Sequence, residues 1–415
     1  MNLIEKIRTH GLKQSLVIFS HKIAEATNRI IFITGKIFPI NNSLIVIESE
    51  GDLTDNSFAL FDYMKNNGYL NQYKVIWLVD DVEKAKQNTN FKNTSFASKN
   101  RSRIDFIRSF ELGRCRWYIY DHNNFMSNVR KKSKQKVVYL SHGWGYKAAK
   151  GGSTANDKTH FDILTSTGPL AAKGMVQYWH EPLSKVRITG YPRYDYFFQI
   201  NNEVKNKLVT KWHIDKYKKI IFWMPTFRQS INPSLSEDYF NNQTGLPIFY
   251  TKKDLREFSR FLKRNNILMF FKLHHLQADL PIYKEKFDNI AVVHDEELNN
   301  MNIQLYQFVK YADVLISDYS SISIDYLLLD RPIIFTLDDY KQYDKSRGLF
   351  PKNAIDYMKG YHVYNKEQLE NSISEILSGK DKYQKDRKEV VKKYHTYVDG
   401  NSSRRVLDEI GIRKN

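Results

Sequence analysis

The sequence predicts an α/β protein with two parallel sheets. Short apolar runs alternate along the chain with longer amphipathic stretches, which is typical of strands and helices in that class. The length of 415 residues favours two domains of ordinary size over one. With 41% hydrophobic and 14% aromatic residues, and only 18 glycines and 10 prolines, the composition is that of a globular protein.

Eleven apolar runs are predicted strands, and a charged helical stretch near residues 195–218 divides them into two sets. We therefore predict a segment 1–40, a first domain 41–210 and a second domain 211–415. The first set of strands comprises residues 44–47, 73–79, 117–120, 137–140, 163–166 and 186–189. The second set comprises residues 220–224, 267–273, 290–293, 314–317 and 333–336.

Both ends of the chain carry helical patterns. Residues 1–40 mix spaced Lys, Arg and His with dense Ile, Leu and Phe. Such a segment either lies in a membrane interface, held by apolar burial and anionic lipid, or packs on the body of the protein. The last helix is predicted to start at about Ser402, with Ser402 or Ser403 as its cap, and to cross back over the domains.

The net charge of +18 indicates a polyanionic partner, which charge alone does not identify among nucleic acid, an anionic membrane and a phosphate-rich substrate. The single cysteine, Cys115, excludes an internal disulfide and a thiolate metal cluster. No apolar run reaches the length of a spanning helix, and no signal-peptide pattern opens the chain. We therefore expect a cytosolic protein.

The stretch VVYLSHGWGYKAAKGG, residues 137–152, combines a strand with a glycine-rich turn. Gly143, Gly145 and Ala148 fit the G-x-G-x-x-A dinucleotide fingerprint, but His142 has no place in it. From these residues alone, the loop either cradles a phosphate or performs chemistry with its histidine.

The segment 312–335 predicts a strand, a turn at 318–321 and a helix over 322–329. Free amides at the start of that helix, the helix dipole and the hydroxyls of Ser320 and Ser321 would bind phosphate. The alternative is that the serines only cap the helix.

Cations or hydroxyls also follow three other predicted strands. Because side chains at the carboxyl ends of parallel strands face the ligand crevice, these positions together predict an anionic ligand between the domains. They are Arg193, then Thr226 and Arg228, and finally Lys272 with His274. We find no triphosphate-binding P-loop, no H-E-x-x-H, no G-x-S-x-G and no D-x-D motif.

An ordered set of motifs resembles the CDP-glycerol glycerophosphotransferase family, which comprises teichoic acid primases and polymerases and related capsule enzymes. The resemblance runs from about residue 135 to the end. It rests on H-G-x-x-x-K (142–147), G-Y-P-R-x-D (190–195), P-T-x-R (225–228), K-L-H (272–274), S-D-Y-S-S-x-x-x-D (317–325), L-D-R-P-I-I-F (329–335), R-G-L-F (347–350) and D-G-N-S-S-R-R-V (399–406).

The resemblance implies a GT-B-like fold, in which two Rossmann-like domains face a central cleft. The first domain would hold the acceptor and the catalytic base, and the second would hold the nucleotide. Expected catalytic residues are His142, as general base, and His274. By motif position, Ser320, Ser321, Lys272 and His274 would hold the diphosphate, and Asp325 would help to place the nucleotide or its ribose. Gly143, Trp144, Gly145 and Tyr146 would line the transferred alditol phosphate, and Arg193 would contact a phosphate. The other expected substrate-binding residues are Lys147, Thr226, Arg228 and Leu273.

The implied reaction moves an alditol phosphate from a CDP-alditol to a hydroxyl of a lipid-linked saccharide or polymer, and releases CMP. Glycerol phosphate is the expected unit and ribitol phosphate the alternative, since Trp144 and Gly145 stand where the family commonly has Thr and Pro. We expect no nucleic acid partner, no resident cofactor, with Mg²⁺ left open, and a peripheral position on the cytoplasmic face of the bacterial membrane.

Three other functions stay open at this point. A GT-B glycosyltransferase would share the fold but release a nucleoside diphosphate. A nicotinamide oxidoreductase is disfavoured because its acidic residue should close the next strand, whereas Asp162 opens it. A binding module that relies on its positive charge alone would not need His142.

Overall fold

The computed structural model describes residues 3–122, 134–148, 161–229 and 242–414, with side chains from residue 14 onwards except at Asn88 and His275. Seven parallel strands form the first sheet: β1 (Asn41–Glu48), β2 (Lys74–Val79), β3 (Thr94–Ser98), β4 (Cys115–Tyr120), β5 (Lys136–Tyr139), β6 (Ile163–Ser166) and β7 (Val186–Ile188). Their spatial order is β3-β2-β1-β4-β5-β6-β7, so the winding direction reverses between β1 and β4. Ligands of doubly wound sheets bind at such a reversal.

The second sheet repeats this design with six parallel strands: β8 (Lys219–Trp223), β9 (Ile267–Phe271), β10 (Ile290–Val292), β11 (Val314–Ser317), β12 (Ile333–Thr336) and β13 (Tyr361–Val363). The order is β10-β9-β8-β11-β12-β13, with the reversal between β8 and β11. All eleven predicted strands are present. The two that were missed, β3 and β13, are edge strands with too few buried residues to produce an apolar run.

Helices connect the strands and cover both sheets. They are α1 (Leu3–Ile37), α2 (Asp55–Asn66), α3 (Val82–Asn88), α4 (Phe106–Arg114), α5 (Pro169–Trp179), α6 (Asp195–Phe198), α7 (Asn202–Trp212), α8 (Lys252–Arg264), α9 (His275–Ala278), α10 (Asp295–Asn300), α11 (Leu305–Val309), α12 (Ile322–Asp325), α13 (Tyr340–Ser346), α14 (Lys366–Leu377), α15 (Gln384–Tyr394) and α16 (Ser402–Ile410). Short 3-10 turns include Pro192–Tyr194 and Tyr326–Leu329.

The two sheets are joined by a shared apolar core. Its members include Tyr146 and Tyr194 from the first half of the chain and Tyr319 and Phe335 from the second. Burial of apolar surface from both sides holds the halves together below a central cleft. The architecture is GT-B-like, as predicted.

The last helix, α16, packs against the first sheet. Val406, Leu407 and Ile410 are buried there, and the indole of Trp117 donates to the carbonyl of Ile410 at 3.0 Å. The helix begins at Ser402, as predicted, but the predicted serine cap is wrong. The carboxylate of Asp195 accepts from the amides of both first residues of the helix, at 2.7 and 2.9 Å.

The first helix, α1, packs on α4 through glycines. A Cβ on Gly35 would lie 2.2 Å from the carbonyl oxygen of Phe110, and a Cβ on Gly113 would lie 2.5 Å from that of Phe32. Only glycine allows the two backbones to approach this closely. In the described part of the chain, no helix is both long enough and apolar enough to cross a bilayer.

Candidate active site

A cleft of about 750 Å³ lies between the two halves of the molecule. Carboxyl-terminal strand ends of both sheets contribute to its walls. Twelve of the predicted site residues line it: His142, Gly143, Trp144, Gly145, Lys147, Arg193, Thr226, Lys272, Leu273, His274, Ser320 and Ser321. The other three, Tyr146, Arg228 and Asp325, are buried behind its walls.

The loop 140–148, here called the base loop, leaves β5 through a strained turn. Ser141 adopts a φ of +61°, which is uncommon for a residue with a side chain. Two contacts hold this conformation: the Asn56 amide donates to the Ser141 carbonyl at 2.7 Å, and the Gly143 amide donates to Ser141 Oγ at 3.1 Å. The turn places His142 in the cleft wall.

His142 lies among groups that keep it neutral. Nδ1 is 3.2 Å from the hydroxyl of Tyr139, and the His122 ring is 4.7 Å away between centroids. The side chain is exposed and lines the cleft, so the desolvation that it meets comes from the cleft walls. This desolvation, with the positive fields of His122, Arg193 and Lys147, lowers the pKa of His142 below its usual 6.5. A neutral imidazole is the form that accepts a proton.

Two residues that the sequence analysis did not single out, His122 and Glu50, also lie in this region. His122 directly follows β4, and its Nε2 lies 3.2 Å from Oε1 of Glu50, which lines the cleft after β1. Their position at the carboxyl ends of neighbouring strands, on either side of the winding reversal, is the signal that could have identified them.

The glycines of the base loop serve contact between the domains. A Cβ on Gly145 would lie 2.8 Å from both the amide nitrogen of Ser321 and the carbonyl oxygen of Tyr319. Gly143 has a φ of +117°, and its Cβ would lie 2.8 Å from Arg193 Nη2. The Tyr146 amide donates to the Tyr319 carbonyl at 3.3 Å. The base loop and the serine turn of the second domain therefore touch directly.

The base loop continues along the R-G-L-F motif. Lys147 bridges Leu349 in antiparallel fashion, and the Phe350 amide donates to the Tyr146 carbonyl at 2.8 Å. The side chain of Tyr146 points into the core, where its hydroxyl donates to the Tyr357 carbonyl at 3.2 Å. The predicted contact of Tyr146 with substrate is therefore wrong: this ring packs the domains together.

The residues 317–321, here called the serine turn, are held by a buried carboxylate. Asp318 accepts from the Thr226 amide at 2.9 Å, from the Thr226 hydroxyl at 2.6 Å and from the Ser320 amide at 3.2 Å. This ties the P-T-x-R loop after β8 to the turn after β11. Ser320 and Ser321 stay half-buried on the cleft wall, and the predicted helix follows as one α-turn that tightens into a 3-10 turn.

Lys272 and His274 follow β9 on the same side of the cleft. The Lys272 ammonium lies 2.9 Å from Asp295 Oδ1, and its side chain is 8% exposed. The imidazole of His274 accepts from the Leu276 amide at 3.3 Å and its ring lies 4.8 Å from that of Phe227. Both side chains thus line the same cleft as the serine turn, Lys272 as a cation and His274 as an imidazole whose Nδ1 accepts a hydrogen bond.

Arg228 is a structural cation. It is fully buried, with Nη1 at 2.5 Å from Asp318 and Nε at 2.6 Å from Asp339. Both carboxylates are themselves buried, so the three groups form a compact ion cluster below the serine turn. The predicted contact of Arg228 with a substrate phosphate is wrong, because its guanidinium does not reach the cleft.

Arg193 forms ion pairs with carboxylates of both domains. Its Nη1 lies 2.8 Å from Asp55 of the first domain, and its Nη2 lies 2.8 Å from Asp325 of the second. Asp325, which is 1% exposed, also accepts from the hydroxyls of Tyr194 and Tyr306. The predicted contact of Asp325 with the nucleotide is therefore wrong. Arg193 lines the cleft, but two carboxylates balance its charge.

Among the described residues, no three His, Cys, Asp or Glu side chains converge as a metal-ligand set. Two pairs of adjacent aspartates follow strands, Asp80–Asp81 after β2 and Asp338–Asp339 after β12, and their carboxylates have other partners. Asp338 accepts from the Ile248 amide at 2.9 Å, and Asp81 accepts from the Lys84 amide at 2.9 Å as the cap of α3.

Known proteins share both this sequence pattern and this fold. The chain is 24% identical over 352 residues to the teichoic acid ribitol-phosphate polymerase TarL of Staphylococcus aureus, covering 78% of this chain and 58% of that protein. It is 32% identical over 222 residues to a teichoic acid glycerol-phosphate primase of Bacillus subtilis, covering 53% and 50%. It thus spans only part of these relatives' length.

The fold superposes on the wall teichoic acid polymerase TagF, in a crystal soaked with CDPG. The TM-score is 0.73 at 20% identity, over 96% of this chain and 97% of the other. Residues 30–411 match the model of the CDP-glycerol:poly(glycerophosphate) glycerophosphotransferase family. Since that match takes in nearly the whole chain, the protein belongs to this family.

Proposed function

We propose that the protein transfers an alditol phosphate, with glycerol phosphate as the first choice, from a CDP-alditol to a hydroxyl of a teichoic acid-type acceptor, releasing CMP. The observation that carries this proposal is the direct contact between the base loop and the serine turn. It brings a neutral imidazole beside a turn suited to phosphate. Relatives named for glycerol-phosphate and ribitol-phosphate transfer support the reaction class.

The donor diphosphate would lie on the second-domain wall. Ser320 and Ser321 offer hydroxyls at a helix start. From the end of β9, Lys272 adds positive charge, and His274, whose Nδ1 already accepts a hydrogen bond, adds an Nε2–H donor. Phosphate groups bind well where amide and hydroxyl donors meet fixed cations. Of the predicted phosphate ligands, Arg228 lies in the core and Arg193 lines the opposite wall, so Lys272, His274, Ser320 and Ser321 are the candidates on this wall.

The acceptor hydroxyl would attack the phosphorus that bears the alditol. His142 takes the hydroxyl proton as the new P–O bond forms. When Nδ1–H donates to the Tyr139 hydroxyl, Nε2 carries the lone pair that accepts this proton. In that tautomer the Tyr139 hydroxyl holds the ring through Nδ1 and leaves Nε2 available as the general base.

The bond from that phosphorus to the bridging oxygen breaks, and CMP leaves with the electron pair. The charge that grows on its phosphate is stabilised by Lys272, His274 and the serine turn, which are fixed before reaction. A phosphodiester to the acceptor is the product. A glycosyltransferase would instead break the sugar–oxygen bond and release a nucleoside diphosphate.

A peripheral position on an anionic membrane is the second part of the proposal. From Leu16 onwards, every third or fourth residue of α1 presents an exposed apolar side chain, and three cations lie one position before members of that stripe. Apolar insertion and attraction of cations to anionic lipid act together on such a helix. The apolar stripe comprises Leu16, Phe19, Ile23, Ala26, Ile30, Ile33 and Ile37, and the cations are Lys22, Arg29 and Lys36.

The reaction is tested by incubating the protein with CDP-glycerol or CDP-ribitol and a lipid-linked disaccharide, and measuring nucleotide release. We expect CMP release that depends on the acceptor and a phosphodiester product detected by mass spectrometry. Acceptor-dependent release of a nucleoside diphosphate from a nucleotide sugar would favour the glycosyltransferase. No acceptor-dependent release from either CDP-alditol contradicts the proposal.

Membrane docking is tested by co-sedimentation with phosphatidylglycerol vesicles. The double change Ile23→Asp and Ile30→Asp should abolish binding, while Ile200→Asp, at a residue that is 89% exposed and outside the stripe, should leave it intact. Equal sedimentation of both variants would show that α1 is not the docking surface.

A further inference from the structure

We propose that the first-domain wall of the cleft binds the saccharide end of the acceptor, with a pyranose ring lying against an aromatic surface formed by Trp144, Tyr178 and Trp179. This inference rests on the proposed function and narrows it. The attacking hydroxyl would belong to, or lie next to, a sugar ring rather than a linear chain of alditol phosphates.

The aromatic surface is continuous. The rings of Trp144 and Tyr178 are 5.6 Å apart between centroids, and those of Tyr178 and Trp179 are 5.0 Å apart, both edge to face. All three are partly exposed and line the cleft together with His142. An aromatic face attracts the weakly positive C–H groups that cover one side of a pyranose, so such a surface suits a sugar.

The charge of this wall does not favour a polyanion. Among its described residues, Glu50 and Asp55 offset Lys147 and Arg193, so the formal charge is zero. The Glu50 side chain is 64% exposed, and Arg193 already contacts two carboxylates. A chain of alditol phosphates carries a negative charge on every unit and gains no net attraction here, whereas an uncharged ring meets no such cost.

The position of the indole is built into the fold. A Cβ on Gly174 of α5 would lie 2.6 Å from the Nε1 and Cε2 atoms of Trp144, a distance that real side chains do not reach. Gly174 therefore seats the indole against α5, beside Tyr178 one helical turn further on.

The test uses saturation-transfer NMR on the whole protein with two probes in the presence of CMP: the methyl glycoside of an N-acetylhexosamine, and the diester glycerol–phosphate–glycerol. We expect the glycoside to bind more tightly than the diester. Trp144→Ala should weaken glycoside binding about 10-fold through loss of the stacking surface, and Trp144→Phe should recover part of it. Phe106→Ala, which removes an exposed ring on α4, is the matched control and should change nothing.

Gly174→Ala gives an independent arm. It should weaken glycoside binding as Trp144→Ala does, and it should have no additional effect once the indole is absent in the double variant. If the single variant fails to fold, the two Trp144 variants still decide. Absence of glycoside binding, a diester that binds as well, or unchanged binding in Trp144→Ala overturns the saccharide site. Binding of CDP-glycerol and of CDP-ribitol, measured by calorimetry, is separate: the absence of both would overturn the proposed function instead.

Discussion

The two walls of the cleft use their side chains in opposite ways. On the first-domain wall, reactive and aromatic side chains such as His142 and Trp144 face the cleft. On the second-domain wall, the ion pair of Asp318 and Arg228 is buried below the surface. Asp318 holds the serine turn, which presents hydroxyls and amides to the cleft. The first wall therefore suits chemistry and acceptor choice, and the second suits holding a diphosphate. Substitutions on the two walls should fail in different ways.

The largest expected effect is on the first wall. His142→Asn should lower the rate of transfer by roughly 10²- to 10⁴-fold, because that is the usual contribution of a general base. Calorimetry should show unchanged CDP-glycerol affinity if the donor binds on the other wall, as proposed. His180→Asn is the matched control, because His180 is exposed and asparagine tolerates its φ of +52°. A His142→Asn enzyme that keeps its full rate would remove the histidine from the mechanism.

The second-largest effect is on stability and comes from the second wall. Asp318→Asn leaves the buried guanidinium of Arg228 without one of its two carboxylates, and breaking a buried ion pair costs about 3–5 kcal/mol. Urea unfolding should show this loss. Asp288→Asn breaks an exposed pair with Lys263 and should have little effect, since surface pairs contribute little. If the two variants unfold alike, the cluster below the serine turn does not stabilise the second wall.

The sequence predicted which motifs meet at the cleft but not what each side chain does there. Apolar runs located the strands, and strand ends located the cleft, because parallel strands bring their carboxyl ends to one edge. The three charged positions Arg193, Arg228 and Asp325 were all predicted to contact substrate. Two became internal ion partners and one an interdomain clasp, because their partners lie about 90 to 140 residues away in the sequence. Local pattern carries no information on such pairings.

The glycines of the base loop show the same limit. Gly143 and Gly145 fit a dinucleotide fingerprint, yet they admit Arg193 and the serine turn instead. A glycine in sequence predicts a close approach, but only the fold tells what approaches. The packing of Trp144 shows the converse. Nothing in the sequence marks Gly174 on α5 as its partner, so the position of the indole could not be predicted.

A third prediction concerns donor binding. Lys272→Met should weaken CDP-glycerol binding about 10- to 100-fold, which corresponds to loss of a charged hydrogen bond of roughly 1.5–3 kcal/mol. The acceptor KM should not change if the acceptor binds on the opposite wall, as proposed. Lys253→Met, with a side chain that is 84% exposed and far from the lining, controls for loss of positive charge. A change in acceptor KM with unchanged donor affinity would show that the two walls are not separate in function.

The smallest effect is a displacement between two pH profiles. The cleft walls and the neighbouring cations lower the pKa of His142, so in the free enzyme the imidazole stays neutral below pH 6.5. The acid limb of kcat/KM, which reports free enzyme, should therefore lie below pH 6.5. A bound diphosphate brings negative charge toward the imidazole and favours its protonation, so the acid limb of kcat should lie at higher pH. A lowered pKa also means that protonation of His142 opposes folding. The free energy of unfolding should therefore fall as the pH drops from 6.5 towards the acid limb of kcat/KM. Tyr139→Phe removes the partner of Nδ1 without adding charge, so it should reduce kcat while leaving both limbs nearly in place. Coincident limbs for kcat and kcat/KM would mean that the donor phosphates do not lie near His142, and the two walls would then not converge on one phosphorus.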